Sequence, residues 1–164
     1  MRQSSAIHPI RGPGILLGIG LGGFVDGIVL HQILQWHHML SETDRYPPTT
    51  LSNLEVNTLA DGIFHAATWI FVFAGLWWLW RAVKAGAWER SWRSLLGWMA
   101  TGWGLFNVVE GIVNHHLLQI HHVRPRASNP LIWDIGFLIL GALLIALGFV
   151  IHERDLDAHD SNRA

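Results

Sequence analysis

Four long apolar segments, at residues 14–39, 54–80, 95–120 and 131–151, dominate this sequence. A helix needs about 20 largely apolar residues to cross a lipid bilayer, because it rises about 1.5 Å per residue, and each segment reaches that length. Hydrophobic residues make up 51% of the 164-residue chain and charged residues only 14%, a composition typical of membrane proteins. We therefore predict an all-α protein with four transmembrane helices.

The charge and cysteine content exclude several kinds of site. The formal net charge is −1 at pH 7, whereas nucleic-acid binding depends on clustered positive charge. The chain contains no cysteine, which excludes disulfides, iron–sulfur clusters and thiolate metal sites. The expected partner is the lipid bilayer and not a nucleic acid. The class of a small-molecule substrate and assembly into homo-oligomers stay open.

The first and third apolar segments end in nearly the same motif. "GIVLHQILQWHH" covers residues 27–38 and "GIVNHHLLQIHH" covers residues 111–122, which is 84 positions further along the chain. This offset predicts two helical hairpins of like direction. The expected fold is a four-helix transmembrane bundle with approximate two-fold symmetry along the membrane normal. It forms a single membrane domain over residues 1–164, with a polar tail at 152–164.

Basic residues are distributed unequally between the two sides of this predicted bundle, eight against three. One side carries Arg2, Arg11, Arg81, Lys84, Arg90, Arg93, Arg154 and Arg163, and the other carries Arg45, Arg124 and Arg126. Cytoplasmic loops carry the excess of lysine and arginine, so both termini are predicted to be cytoplasmic. The two motifs then end at the extracytoplasmic face, where Trp36 and Trp133 are expected to be lipid-facing anchors.

Within each motif, polar residues recur on one helix face. His31, Gln35 and His38 are spaced i, i+4, i+7, and the second motif repeats this spacing. Polar side chains that face lipid cost several kcal/mol, so these faces are expected to point into the bundle. Measured from the outer surface, His31 and Asp61 both lie about 10 Å deep and His65 about 16 Å deep.

Side chains from different helices are therefore expected to meet at one level and to bind a metal. The predicted ligands are His31, Asp61, His65 and His115, with Asp134 as a further carboxylate and His38 and His122 at an outer level. Nitrogen and carboxylate ligands favour iron or zinc, with copper(II) or manganese as alternatives. Haem b bound between His31 and His115, or between His38 and His122, is another interpretation. A third is that these residues only join the helices through hydrogen bonds.

Asp26 and Glu110 each stand directly before a "GIV" of the motif. Acids near mid-membrane need pairing, neutralisation or a metal, and we predict that these two either move protons in catalysis or act as ligands. On a regular helix Asp26 lies about 140° around from His31, so only a bulged turn near Gly27 would bring them together. His37, His116 and His121 are expected to be interfacial, hydrogen-bonded or partly exposed.

The whole-chain pattern resembles a family of small bacterial integral-membrane proteins of unknown function, which carry "DGIVLHQILQWHH" in the first span and "EGIVNHHLLQIHH" in the third. The resemblance covers residues 14–151 and implies four spans and location in the bacterial inner membrane, but no activity. There is a looser similarity to membrane fatty-acid hydroxylases and desaturases, whose closely spaced histidine boxes this chain does not reproduce. Three functions stay open: a non-haem oxidoreductase or hydrolase, a haem b electron carrier, and a metal-binding or transport protein.

Overall fold

A computed structural model describes residues 10–86 and 92–161, with side chains up to Arg154, and every regular element in this part is helical. Helix α1 (Arg11–Val25) continues as a π-helix over Asp26–Ile33, and α3 (Trp92–Glu110) continues as a π-helix over Gly111–Leu117. The other two helices are α2 (Leu51–Lys84) and α4 (Pro130–Ser161). Of the basic residues used to predict orientation, Arg2, Arg90 and Arg163 lie outside the described residues.

Three of the helical segments are long and apolar enough to cross a membrane, namely Arg11–Ile33, Leu51–Lys84 and Pro130–Arg154. The predicted third span, now α3 with its π-helical extension, does not meet this criterion. Its buried residues include Ser94, Thr101 and Asn107, which lower its hydropathy but point into protein rather than lipid.

Helices α1 and α3 form the centre of the fold, with α2 packed on α1 and α4 packed on α3. Glycines permit the close approach of the central pair. A Cβ atom at Gly18 would collide with the carbonyl oxygen of Met99, and one at Gly102 would collide with that of Ile15. Since backbone atoms cannot move aside as a side chain can, these positions exclude larger residues.

The helix ends differ from the predicted segments in a way that matters for the site. The first and third helical segments end at Ile33 and Leu117, several residues before the predicted 39 and 120. The last helix continues to Ser161, through most of the sequence predicted to be a polar tail. The chain between α1 and α2 is held to α2 by the buried side chain of Asn57, which accepts from the Leu40 N–H and donates to the Tyr46 carbonyl.

Candidate metal centre

Each central helix widens into a π-helix at the motif, and this change in winding brings an acid beside a histidine. The Leu34 N–H donates to the Val29 carbonyl at 2.8 Å, five residues back. Residues five apart then share a face, so Asp26 Oδ2 lies 3.3 Å from His31 Nε2. In the second π-helix, Glu110 Oε1 lies 3.2 Å from His115 Nε2. Single π-helical turns of this kind often occur at functional sites.

A left-handed residue ends each π-helix and turns the chain back toward the bundle. Gln35 has φ +47° and Gln119 has φ +50°, a conformation that is uncommon outside glycine. Because the chain reverses there, the side chains two residues later point inward. His37 is 3% exposed and His121 is fully buried. Neither ring is partly exposed, and both are hydrogen-bonded, which is one of the alternatives that the sequence left open for them.

Four buried imidazoles thus meet between the two central helices, and we call His31, His37, His115 and His121 the histidine cluster. The rings of His37 and His121 are stacked, with centroids 4.5 Å apart and planes within 8°. His31 lies 4.4 Å from His37, and His115 lies 5.0 Å from His121. Across the stack, His31 is 5.9 Å from His121 and His37 is 6.4 Å from His115.

Backbone carbonyls fix the tautomers of the two stacked rings. His37 Nδ1 lies 2.8 Å from the carbonyl oxygen of Val123, and His121 Nδ1 lies 3.0 Å from that of Met39. A carbonyl oxygen only accepts, so each Nδ1 must carry the proton and donate it. In the neutral ring the Nε2 atom then has its lone pair available. The two bonds cross between the motifs. His37 of the first motif is held by Val123, which follows the second motif, and His121 of the second motif is held by Met39, which follows the first.

Two further carboxylates, outside the cluster, orient the rings from behind. Asp61 is fully buried and accepts from His31 Nδ1 at 2.9 Å, from His38 Nδ1 at 2.7 Å and from the Met39 N–H at 2.8 Å. Asp134 holds the second motif in the same manner, accepting from His122 Nδ1 and from the Val123 N–H. His115 Nδ1 lies 3.6 Å from Asp134, too far for a hydrogen bond. Carboxylates that orient a metal-binding histidine in this way are common.

Several atoms in and beside the histidine cluster lack a hydrogen-bond partner. Within the described residues, His31 Nε2, His37 Nε2 and Glu110 Oε2 are buried without one. Burial lowers the pKa of His37 to about 2, so this imidazole stays neutral. His121 Nε2 lies 3.0 Å from Glu110 Oε1, which places a nitrogen lone pair against a carboxylate unless a cation or proton joins them. Buried acceptors gathered in this way provide a site for a positive ion.

Two sets of three side chains have ligand atoms close enough to hold one metal ion. They are His31, His37 and His121 in one set, and Glu110, His115 and His121 in the other. The members of both sets are buried, and His121 belongs to both.

One known protein family matches most of this chain. The sequence pattern of a family described as "Predicted membrane protein (DUF2243)" matches residues 13–155. The chain belongs to this family. The match covers all four helices up to residue 155 and confirms that this is a membrane protein, consistent with its apolar helices. No curated protein and no solved structure is significantly similar to the chain.

The structure places the residues predicted as ligands in this DUF2243 protein at three different locations. His31 and His115 lie in the histidine cluster, beside Asp26 and Glu110. Asp61, Asp134, His38 and His122 lie behind it, with the side chains of His38 and His122 17% and 32% exposed. His65 lies apart, because its Nδ1 donates to the Asp61 carbonyl one turn back and its Nε2 lies against Gly27.

Sequence reasoning missed His37 and His121, the two rings at the centre of the cluster. A regular helix continued through the motif places Gln35 inward with His31 and His38, and His37 on another face. The signal that could have identified them is the complete motif: both copies end in two adjacent histidines, so a reversal of the chain brings one histidine of each pair inward.

Proposed function

We propose that this chain is an integral-membrane metalloprotein whose histidine cluster binds one transition-metal ion. The observation that carries the proposal is the orientation of the rings. Three of the four imidazoles are held at Nδ1 by a carbonyl or carboxylate oxygen, and the Nε2 atoms of these rings face the shared space. Neutral imidazole nitrogen is the commonest side-chain metal ligand in proteins.

The ring separations suit a single ion. With a metal–nitrogen bond of about 2.1 Å, each ring centroid lies about 3.2 Å from the ion, and rings around it lie roughly 4.5–6.5 Å apart. The five separations in the cluster run from 4.4 to 6.4 Å. Since His121 Nε2 binds one ion at a time, the two sets that share it cannot both be occupied. The parallel rings of His37 and His121 must turn before both can bind the same ion, because the lone pair lies in the plane of each ring.

Charge favours a cation at this position. Asp26 and Glu110 are 6% and 7% exposed, and their ion-pair partners among the described residues are histidines alone. Buried carboxylates without lysine or arginine are stabilised by a proton, shared with or taken from a histidine, or by a positive ion. Nitrogen and carboxylate oxygen ligands favour iron or zinc. Asp26 and Glu110 would serve as additional ligands or move protons beside the ion in redox or hydrolytic chemistry.

A haem is less well supported by this arrangement. A haem iron with two histidine ligands lies in a porphyrin that separates their rings. The rings of the cluster instead contact one another directly, at 4.4 and 4.5 Å between centroids, which leaves no space for the macrocycle.

The proposal includes the position of the site in the membrane. We propose that α3 with its extension forms a fourth span, packed between α1 and α4. Both termini face the cytoplasm, and the cluster lies toward the extracytoplasmic side.

Metal content per chain, measured by elemental analysis of purified protein, tests the proposal. We expect a single iron or zinc ion in the wild type and strongly reduced occupancy in His37→Phe and His121→Phe, which preserve ring stacking but remove a ligand. His116→Phe is the matched control, because His116 belongs to the same motif and donates from Nδ1 to the Gly111 carbonyl of its own helix. Equal metal content in all four proteins would refute the proposal, and a strong Soret band would replace it with haem.

A further inference from the structure

A cleft on one side of the bundle leads from the lipid-facing surface to Asp26. Its volume is about 360 Å³, within the range of small-molecule sites, roughly 300–1,000 Å³. It lies where α1 and α4 diverge over α3, since α1 contacts α3 but not α4 within the described residues. Asp26 lines the cleft and also lies 3.3 Å from His31 Nε2. The cleft therefore connects the bilayer to the edge of the histidine cluster.

Aliphatic and aromatic side chains form the walls of the cleft, and the largest of them are aromatic. Trp36, Trp103, Trp133 and Phe137 line it. The rings of Trp36 and Trp133 meet edge to face at 5.1 Å, and the Arg124 guanidinium covers both, at 4.9 and 5.0 Å from their centroids. Trp36 and Trp133, predicted to be lipid-facing anchors, also line one end of the cleft. Aromatic walls favour a flat, aromatic occupant through stacked and edge-to-face contacts.

Two buried hydrogen-bond acceptors are among the polar groups that line the cleft. Asn107 lines the cleft, is 1% exposed, and its Oδ1 atom is buried without a partner in the described part of the chain. The Asp26 carboxylate supplies a second acceptor. A buried acceptor left unpaired is costly, so a fitting occupant carries hydroxyl donors. An acyl chain has none.

A second cleft beside Glu110 provides a contrast. It is lined by Phe64, Phe71 and Phe106 and by Asn114. There the amide nitrogen of Asn114 donates to Glu110 Oε1 at 3.3 Å, so the asparagine is already paired with the acid. Of these two clefts in the described part of the chain, the one beside Asp26 combines tryptophan side chains with an unpaired amide oxygen.

We infer that the cleft beside Asp26 binds the hydroxylated aromatic head of a lipid-soluble molecule, that is, a hydroquinone or phenol with an apolar tail. A hydroxyl group donates its proton to Asn107 Oδ1 or to Asp26, the ring packs against the tryptophans, and the tail leaves toward lipid. As the substrate class of the metal centre, this inference rests on the proposed function. The binding itself is measurable with or without metal.

The acceptors predict a preference for one oxidation state. A hydroquinone donates two hydrogen bonds, whereas the corresponding quinone only accepts and would face two acceptors. The reduced form should therefore bind about tenfold more tightly than the oxidised form, since the quinone leaves a buried acceptor unpaired. The dimethyl ether of the same hydroquinone has the same ring and tail but no donor, and should bind as weakly as the quinone.

The experiment measures binding of a decyl-substituted hydroquinone, its quinone and its dimethyl ether to the full chain in nanodiscs. In Gly136→Leu the new side chain enters the cleft, which Gly136 lines without any atom near its Cβ position. We expect at least about tenfold weaker hydroquinone binding in this variant. Gly62→Leu is the matched control, because its Cβ position is equally open but lies on α2 away from the cleft. Asn107→Leu should abolish the preference for the reduced form.

Equal affinity for the three probes, or unchanged binding in Gly136→Leu, would overturn the inference and assign the cleft to lipid acyl chains. Repeating the titration with metal-free protein separates the two proposals. If elemental analysis finds no metal but hydroquinone binding still depends on Gly136 and Asn107, the metal proposal fails and the cleft remains a binding site. If metal is present but the probes do not discriminate, the cleft proposal fails alone.

Discussion

Asp61 provides the sharpest test of how the histidine cluster is oriented. Its two oxygens accept from three nitrogens of the first motif, at 2.7 to 2.9 Å, and from Gln32 Nε2 at 3.3 Å. An asparagine at this position has one acceptor oxygen and one amino group. The Met39 N–H and His31 Nδ1 share Oδ1, and a backbone N–H cannot become an acceptor. The asparagine oxygen will therefore take the Oδ1 position and its amino group will face His38.

This orientation of the asparagine determines how much metal affinity the variant should lose. His38 can change tautomer to accept from the amide, while His31 keeps its proton on Nδ1 and its lone pair on Nε2. The substitution removes the negative charge of Asp61, which in the proposed site makes His31 a stronger ligand. Substitution of such supporting groups typically lowers metal affinity about 10- to 100-fold. Asp61→Asn preserves the tautomer, so we expect about tenfold, which is about 1.4 kcal/mol.

A more drastic substitution should act on folding instead. Asp61→Leu leaves His31 Nδ1, His38 Nδ1 and the Met39 N–H without their acceptor. At about 1–3 kcal/mol for each unpaired buried donor, the loss is roughly 3–9 kcal/mol, comparable to the whole stability of many domains. We expect this variant not to accumulate as folded protein.

Competition titrations against a chromophoric chelator measure the affinity, with Glu55→Gln as control because Glu55 is an exposed acid on the same helix. Asp134→Asn should weaken binding less, since Asp134 accepts from His122 and the Val123 N–H but lies 3.6 Å from His115 Nδ1. Wild-type affinity in Asp61→Asn would refute the argument that this carboxylate supports a ligand. A folded Asp61→Leu protein with normal affinity would refute the hydrogen-bond argument as well.

Three further predictions address orientation, turn geometry and packing. In intact cells, an impermeant thiol reagent should label Ser52→Cys but not Ser91→Cys, and the reverse pattern would invert the proposed topology. Gln35→Gly should retain metal, whereas Gln35→Val should lose it, because a β-branched residue does not tolerate φ +47°; equal occupancy would show that this turn does not position the cluster. Gly102→Leu should lower the unfolding free energy by at least about 2 kcal/mol, since its side chain meets the Ile15 backbone. Thermal unfolding measures both variants. Gly62→Leu, whose Cβ position lies in open space, should leave the unfolding free energy unchanged.

The apolar segments and the repeated motif were sufficient to predict the helical class and much of the neighbourhood of the site. Long apolar runs determine helix positions because lipid leaves few alternatives, and all four predicted segments correspond to helical parts of the described chain. Depth along the helices placed Asp61 beside His31, and the two atoms concerned lie 2.9 Å apart. The four-span arrangement and the metal remain predictions.

The centre of the cluster was not predictable from helix periodicity. That reasoning assumes 3.6 residues per turn to the end of each segment. Here the winding widens at Asp26 and at Gly111, and a glutamine then adopts a left-handed conformation that usually indicates glycine or asparagine. No proline or glycine marks either turn. The sequence "LQWHH" therefore resembles the end of a regular helix, although tertiary contacts bend it inward.

The crossed hydrogen bonds of His37 and His121 have a consequence for biosynthesis. The two partners of each bond are separated by 86 and 82 positions along the chain. While the ribosome has produced only the first hairpin, His37 has no carbonyl to fix its tautomer and His31 has no opposing rings. The histidine cluster thus cannot assemble until both motifs have been synthesised. Under the proposed function, metal would bind only after the second motif is in place, and a product truncated before it would not retain the ion.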